Sequence, residues 1–220
     1  MKIFVIADTH FGHENIIKYC NRPFKTVKEM DEAMIKNWNE TVTNKDVVIH
    51  LGDFGLGSKE YISSIVKRLN GKKILIMGNH DNWSEQTYRD IGFHTVSRFP
   101  IIFNDIYLLS HAPRVSNGFI TVFGHVHDKA LDYEQIGKSF CASVENINYK
   151  PIELETINQI LSGQKIVEQI QALKAKDVMS ILNISRPTLC KYVKEGKIKI
   201  LTNVNGQYRY DMQSVYKLLK

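Results

Sequence analysis

Ile3-Phe4-Val5-Ile6-Ala7-Asp8-Thr9-His10 begins as a short apolar run and ends on a carboxylate and an imidazole two residues apart. The same grammar recurs along the chain. Residues 47–51 run into Gly52-Asp53, and residues 74–77 into Gly78-Asn79-His80-Asp81. Residues 106–110 run into His111, and residues 119–123 into Gly124-His125-Val126-His127. Short β-branched apolar runs suit buried strands. Between the first three lie longer helical patterns. Val27, Met30, Ala33, Met34 and Trp38 fall at helical spacing within residues 26–43, and Tyr61, Ile62, Ile65, Val66 and Leu69 repeat the pattern. Strand alternating with helix argues for an α/β (α+β) architecture. After Phe93 the runs at 100–103, 106–110, 119–123 and 138–143 follow one another with little helix between them, and Asn104-Asp105 reads as a hairpin turn. Two sheets with helices outside are the expected assembly.

The chain has 220 residues and an apolar share of 43%, enough for one sizeable core and a small second domain. Three cysteines, Cys20, Cys141 and Cys190, show neither paired nor C-x-x-C spacing, which fits buried thiols in a reducing compartment. The N-terminal apolar run is too short for a signal peptide, and no stretch is long enough to span a bilayer. A cytoplasmic protein without membrane contact is expected. The net charge of +6 is unevenly placed. From residue 163 onward there are 11 Lys and Arg against 4 Asp and Glu, a net of +7, which leaves 18 against 19 in residues 1–162, a net of −1. Such asymmetry points to an anionic partner for the last quarter, or to a lysine-rich solvated surface. The expected organisation is a domain over 1–162, a linker over 163–171 and a small domain over 172–220.

The strand-end residues are carboxylate, amide and imidazole, with no thiolate among them. That set suits Mn, Fe, Zn or Co, and a scattered Asp/His/Asn group at strand ends is what a two-metal hydrolytic site requires. Residues i and i+2 of an extended chain point the same way, so Asp8 and His10 can converge, as can His125 and His127. In open α/β sheets, sites form outside the carboxyl ends of the strands.

The ordered blocks D-x-H, G-D, G-N-H-D, a lone His and G-H-x-H resemble those of the calcineurin-like metallophosphoesterase superfamily over about residues 1–155. The resemblance implies two packed mixed β-sheets flanked by helices, with a dinuclear site of divalent ions between them, Mn2+ above Fe, Zn, Co or Ni. One ion would be held by Asp8, His10, Asp53 and His127, and the other by Asp53, Asn79, His111 and His125, with Asp53 bridging. It also implies that His80 is the general acid for the leaving oxygen. Asp81 either orients His80 or caps a turn. His13, Asn15 and Arg22 either line a phosphate pocket or brace the first helix, and Arg114 has the same two readings. His50 reads as a packed strand histidine.

Residues 172–220 resemble the excisionase-type winged helix-turn-helix domains that bind DNA. Val178, Ile181 and Leu182 mark one helix, Asn183 the turn, and Ser185 the N-cap of a second helix with Leu189, Tyr192 and Val193 on its apolar face. Residues 197–201 and 207–210 flank Asn205-Gly206, a hairpin signal, and Asp211 caps a last short helix. The resemblance places Arg186, Thr188, Lys191 and Lys194 toward a major groove, and Lys199, Gln207 and Arg209 toward backbone or minor groove. A module for protein contacts or homodimerisation is the other reading. The function expected is hydrolysis of nucleic-acid or nucleotide phosphodiesters with a DNA-binding tail. Alternatives are a small cyclic-nucleotide phosphodiesterase with a regulatory tail, and a DNA-binding regulator on a phosphoesterase scaffold.

Overall fold

The structure is a computed structural model that describes residues 1–116, 118–128, 137–162, 172–204, 207–211, 214–215 and 217–219. The linker expected over 163–171 and the Asn205-Gly206 turn lie outside the described residues. The chain divides into two compact units, Met1–Leu161 and Ser162–Lys220.

The first unit is a mixed α/β fold of two mixed sheets with helices. Strands β1 (Ile3–Ile6), β2 (Val47–His50), β3 (Lys72–Ile76) and β4 (Thr95–Ser97) run parallel in the order β4-β3-β2-β1, and β9 (Ile152–Glu153) adds antiparallel to β1. The second sheet has the order β5 (Ile101–Phe103), β6 (Tyr107–Leu109), β7 (Ile120–Phe123) and β8 (Ser139–Cys141). Its β5–β6 pair is antiparallel and the rest parallel. Asn104 and Asp105 both take left-handed backbone, as a tight hairpin between β5 and β6 requires.

Backbone bonds tie the two sheets together where their strands end. Ala7 N donates to Ala142 O at 2.8 Å, Val144 N donates to Ala7 O at 3.1 Å, and Ala142 N donates to Phe123 O at 2.7 Å. The carboxyl ends of β1, β7 and β8 therefore meet. Helices α1 (Glu14–Tyr19), α2 (Val27–Thr41), α3 (Lys59–Arg68), α4 (Glu85–Asp90) and α5 (Leu154–Leu161) complete the unit. Thr26 caps α2 by accepting from Glu29 N, and Met30, Met34 and Trp38 bury its apolar face. Helix α4, β4 and β9 are not expected from the sequence. Each is too short to show a period, and Tyr88 alone of α4 is buried.

The second unit contains β10 (Ala172–Lys174), α6 (Ala175–Leu182), α7 (Arg186–Lys194), β11 (Ile200–Val204) and β12 (Gln207–Asp211). Its sheet has the antiparallel order β10-β12-β11. Asn183 takes left-handed backbone between the helices, and Ser185 Oγ accepts from Thr188 N at the start of α7. Strand β11 begins at Ile200, later than the expected 197, because Lys197 N and Ile198 N both turn back to Tyr192 O. Val178, Leu189, Ile198, Tyr210 and Val215 form a separate core. No helix among the described residues is long and apolar enough to cross a membrane.

His50 is wholly buried at the end of β2, and its proton can be placed. Thr9 Oγ1 donates to Phe54 O at 2.6 Å, so its one hydrogen is spent and it must accept from His50 Nε2 at 3.0 Å. His50 Nδ1 in turn accepts from Gly52 N at 3.1 Å. Burial, with His111 nearby, lowers the His50 pKa from 6.5 to about 3. Above pH 6.5 the imidazole is neutral folded or unfolded, whereas below it only the unfolded chain takes the proton. For metal-free protein, His50 should therefore remove about 1.4 kcal/mol of stability per pH unit as pH falls from 6.5 towards 3. Urea midpoints at pH 7 and pH 5 should drop less for His50→Gln than for the parent, and equal drops would contradict the buried neutral ring.

Candidate metal centre

Five of the strand-end residues take left-handed backbone: Asp8 (φ 57°), His10 (φ 50°), Asp53 (φ 55°), His125 (φ 72°) and His127 (φ 56°). Strain of this kind costs on the order of 1–3 kcal/mol per residue and gathers at functional sites. The bends turn each side chain off its strand and into a common space. Asp8, His10 and His127 bring one ligand atom each within 4.8 Å of one another, and so do Asp53, His111 and His125.

The donors in this space lack the protons that hydrogen bonds between them would need. His111 Nδ1 lies 2.8 Å from Leu51 O, a carbonyl that can only accept, so the ring's hydrogen is spent there. Its Nε2 then holds a lone pair 2.8 Å from Asn79 Oδ1, another acceptor. His125 Nδ1 lies 2.9 Å from the same Asn79 oxygen and 3.1 Å from His111 Nε2. A neutral His125 brings at most one proton to these three atoms. Ligands of one ion held at about 2.0–2.2 Å lie about 3 Å apart, so the triangle has the dimensions of a coordination sphere.

The other group gives the same result by a different route. Asp8 Oδ1 and both ring nitrogens of His10 are buried with no hydrogen-bond partner among the described residues. Asp8 Oδ2 is fixed by His125 N at 2.8 Å and by Ser143 Oγ at 2.6 Å, which leaves Oδ1 turned to the site. Asp53 Oδ2 stands 3.6 Å from His10 Nε2 and 3.6 Å from His111 Nε2, between the two groups. Orphaned buried polar atoms cost about 1–3 kcal/mol each unless a cation takes them. The residues present thus fit two divalent ions sharing Asp53.

Without metal, the charges are poorly balanced. Burial lowers the His10 pKa to about 2, helped by Arg22 and His127. Burial raises the Asp8 pKa to about 6, against the pull of His127 and of the Ser143 bond. Burial also opposes protonation of His127, but bonds to Cys20 and Glu145 and the charges of Glu145 and Asp8 outweigh it and raise its pKa to about 10.

Several residues hold the donors in place. Glu145 Oε1 lies 3.0 Å from His127 Nδ1, so that nitrogen donates to the carboxylate, and Nε2 is the atom that would turn a lone pair to a metal in exchange for its proton. Glu145 follows the end of β8 just as the other donors follow their strands, and that position is the signal by which the sequence could have yielded it. Arg22 corrects the phosphate-pocket expectation. Its side chain is fully buried, and all five N–H groups are engaged by Glu145, the carbonyls of Asp8 and Thr9, and Met30 Sδ. It braces the first ligand loop and has no N–H left for a phosphate.

Asp81 is a second correction. It is buried, and its oxygens accept from the backbone N–H groups of Asp53 (2.7 Å), Gly78 (2.8 Å) and Phe54 (3.0 Å). It therefore locks two ligand loops together and does not orient His80. His80 itself is exposed at the rim, with its ring 5.4 Å from His10 and its backbone N donating to Asp53 Oδ1 at 2.8 Å. His13 is half-buried, with its ring 5.5 Å from that of His10. Asn15 on α1 and Arg114 in the loop after His111 are exposed.

In the second unit Arg186, Lys191 and Lys194 are exposed on α7, with Thr188 half-buried and Lys199 exposed before β11. The side chains of Gln207 and Arg209 lie outside the described residues.

A family model for the calcineurin-like phosphoesterases matches residues 1–205, so the chain belongs to that family. Its members generally use a dinuclear divalent-metal site, and this chain is accordingly a metal-dependent phosphoesterase. An uncharacterized protein of Methanocaldococcus jannaschii is 42% identical over 183 residues, covering 78% of this chain and 98% of the relative. The crystal structure of a protein of unknown function from Aquifex aeolicus is similar with a TM-score of 0.57 and 27% identity, covering 72% of this chain and 98% of that one. A crystal structure of the nuclease MPE of Pseudomonas putida aligns with a TM-score of 0.41 and 24% identity over 57% of this chain and 61% of that one, too distant to carry a function across.

Gly78 allows the two ligand loops to touch, since a Cβ there would collide with Asp53 Oδ1 and with Asp53 N. Gly78→Ala should therefore lower the metal content of purified protein as severely as Asp53→Asn does. Elemental analysis after manganese loading and gel filtration checks this. Full occupancy in Gly78→Ala protein would contradict the packing of these loops.

Proposed function

We propose that the chain hydrolyses phosphodiesters of nucleotides or nucleic acids, and that its second unit binds DNA as a winged helix-turn-helix. The observation that carries the hydrolytic reading is the crowding of proton-poor donors around Asp53, whose Oδ2 lies 3.6 Å from an imidazole nitrogen on either side. When bound, two divalent ions supply an activated water and a clamp for the phosphoryl oxygens. The protein's own residues do the rest. Asn79, His111 and His125 on one side, and Asp8, His10 and His127 on the other, fix where the phosphorus sits. His80, held by its backbone bond to Asp53 yet exposed, stands where its ring can protonate the departing oxygen.

Two observations support the tail reading. Residues 163–220 carry a net +7 against −1 for the rest. Asn183 sets a tight left-handed turn between α6 and α7, and α7 presents Arg186, Lys191 and Lys194 to solvent.

Manganese should restore hydrolysis of bis-p-nitrophenyl phosphate to chelated protein. His80→Ala should keep its metal and lower kcat about 10²–10⁴-fold on a diester with an alkoxide leaving group, with a smaller loss when p-nitrophenolate leaves. Loss of both metals in His80→Ala, or an equal loss on both substrates, would show that His80 is not the proton donor.

DNA binding by the full chain should weaken steeply with salt, because neutralising each phosphate releases condensed counterions. Replacing Arg186 and Lys191 with Ala should flatten the log Kd against log salt slope by roughly 2, at about 0.9 for each phosphate no longer neutralised. A slope equal to the parent's would place the DNA, if bound at all, elsewhere.

A further inference from the structure

Tyr19 has no packing role that accounts for its position. It ends α1, a helix of six residues whose one buried side chain is Ile16, and its own ring is 74% exposed. A ring so exposed has at least one face open to solvent. Yet it is not far from the chemistry. Its centroid lies 6.2 Å from that of His13, edge to face at 75°, and the His13 ring lies 5.5 Å from the His10 ring at the bottom of the metal centre. Two ring-to-ring steps therefore lead from His10, a donor of the metal centre, outward to an open aromatic face.

The segment that carries the ring is anchored on both sides. On the N-terminal side it touches His13. On the C-terminal side Cys20 lies within 4.8 Å of His127 and Glu145, and Arg22 donates to the carbonyl of Asp8 at 2.7 Å. Cys20 N and Arg22 N donate back to Ile16 O and Ile17 O, at 3.0 and 2.8 Å, which fixes the end of α1. Tyr19 thus sits on a short segment whose neighbours on either side are tied to the metal donors.

We infer that Tyr19 is the stacking platform for the nucleobase next to the scissile phosphate, and so the residue that makes this centre prefer nucleoside-bearing diesters over simple alkyl diesters. The inference rests on the phosphodiesterase reading above and adds to it the residue that selects for a nucleoside. An aromatic face recognises any base, because every base has a π-face, so the preference is for nucleosides as a class and not for one sequence. Such a platform also suits a chain whose second unit is proposed to bind DNA.

Two chromogenic diesters separate this role from catalysis. Thymidine 5′-(p-nitrophenyl phosphate) and methyl p-nitrophenyl phosphate share a leaving group and differ in carrying a nucleoside or a methyl group. With manganese-loaded protein, the quantity read is the ratio of their kcat/KM values. The parent ratio should lie well above 1. Tyr19→Ala should lower it about 5- to 150-fold, the usual range for one stacked base, chiefly through KM for the thymidine ester. Tyr19→Phe, which keeps the ring, should retain the parent ratio, and metal content should be the same in all three proteins. A parent ratio near 1, a Tyr19→Ala ratio equal to the parent's, or a Tyr19→Phe loss as large as that of Tyr19→Ala would each overturn the inference while leaving the phosphodiesterase reading intact. A metal-loaded parent that cleaves neither ester would overturn that reading, and this inference with it.

Discussion

Unprotonated donors must be brought together from five strand ends, and the rest of the first unit depends on how that is done. Lone pairs and carboxylates repel at close range. Holding them at these distances requires rigid backbone. It bends the main chain left-handed at Asp8, His10, Asp53, His125 and His127. Asp and His tolerate that region better than most residues do, but not without cost. The cost is offset by bonds that take no part in catalysis. Asp81 accepts from three backbone N–H groups, Ser143 donates to Asp8, and Glu145 holds both His127 and Arg22.

This explains why so many charged groups lie buried near the centre without touching the reaction. Arg22 is the clearest case. A guanidinium with five engaged N–H groups cannot also hold a substrate phosphate, but it can fix the carbonyls of Asp8 and Thr9, between which the first loop turns. His50 acts in the same way one layer deeper. It accepts from Gly52 N and donates to Thr9 Oγ1, so it links the loop after β1 to the loop after β2. Donors such as Asn79 can then remain exposed, because their positions are decided beneath them.

The second unit is built differently. Among the described residues its core is five buried side chains, and residues 163–220 carry the chain's excess positive charge. That small core supports two helices and a three-stranded sheet. The proposed division of labour places the chemistry in the unit that buries a strained, braced centre and the charge-based contact in the other.

Periodicity and residue type determined a good deal alone. The strands at 3–7, 47–51 and 74–77, the long helix ending near Thr41 and the strand-rich second half are local patterns, and each is found in place to within a few residues. The donors could be named from sequence because each directly follows an apolar run. Short elements such as α4, β4 and β9 were not legible, since two to six residues hold at most a fragment of a pattern and their stability comes from neighbours far away in the chain. Nor were the roles of Arg22, Asp81 and Glu145. A charged residue near a ligand in sequence looks the same whether it faces the substrate or the backbone. Only tertiary structure decides which way it points, because the partners that use up its hydrogen bonds arrive from other strands. Glu145 reaches Arg22 across 123 residues, and Asp81 reaches the Asp53 backbone across 28.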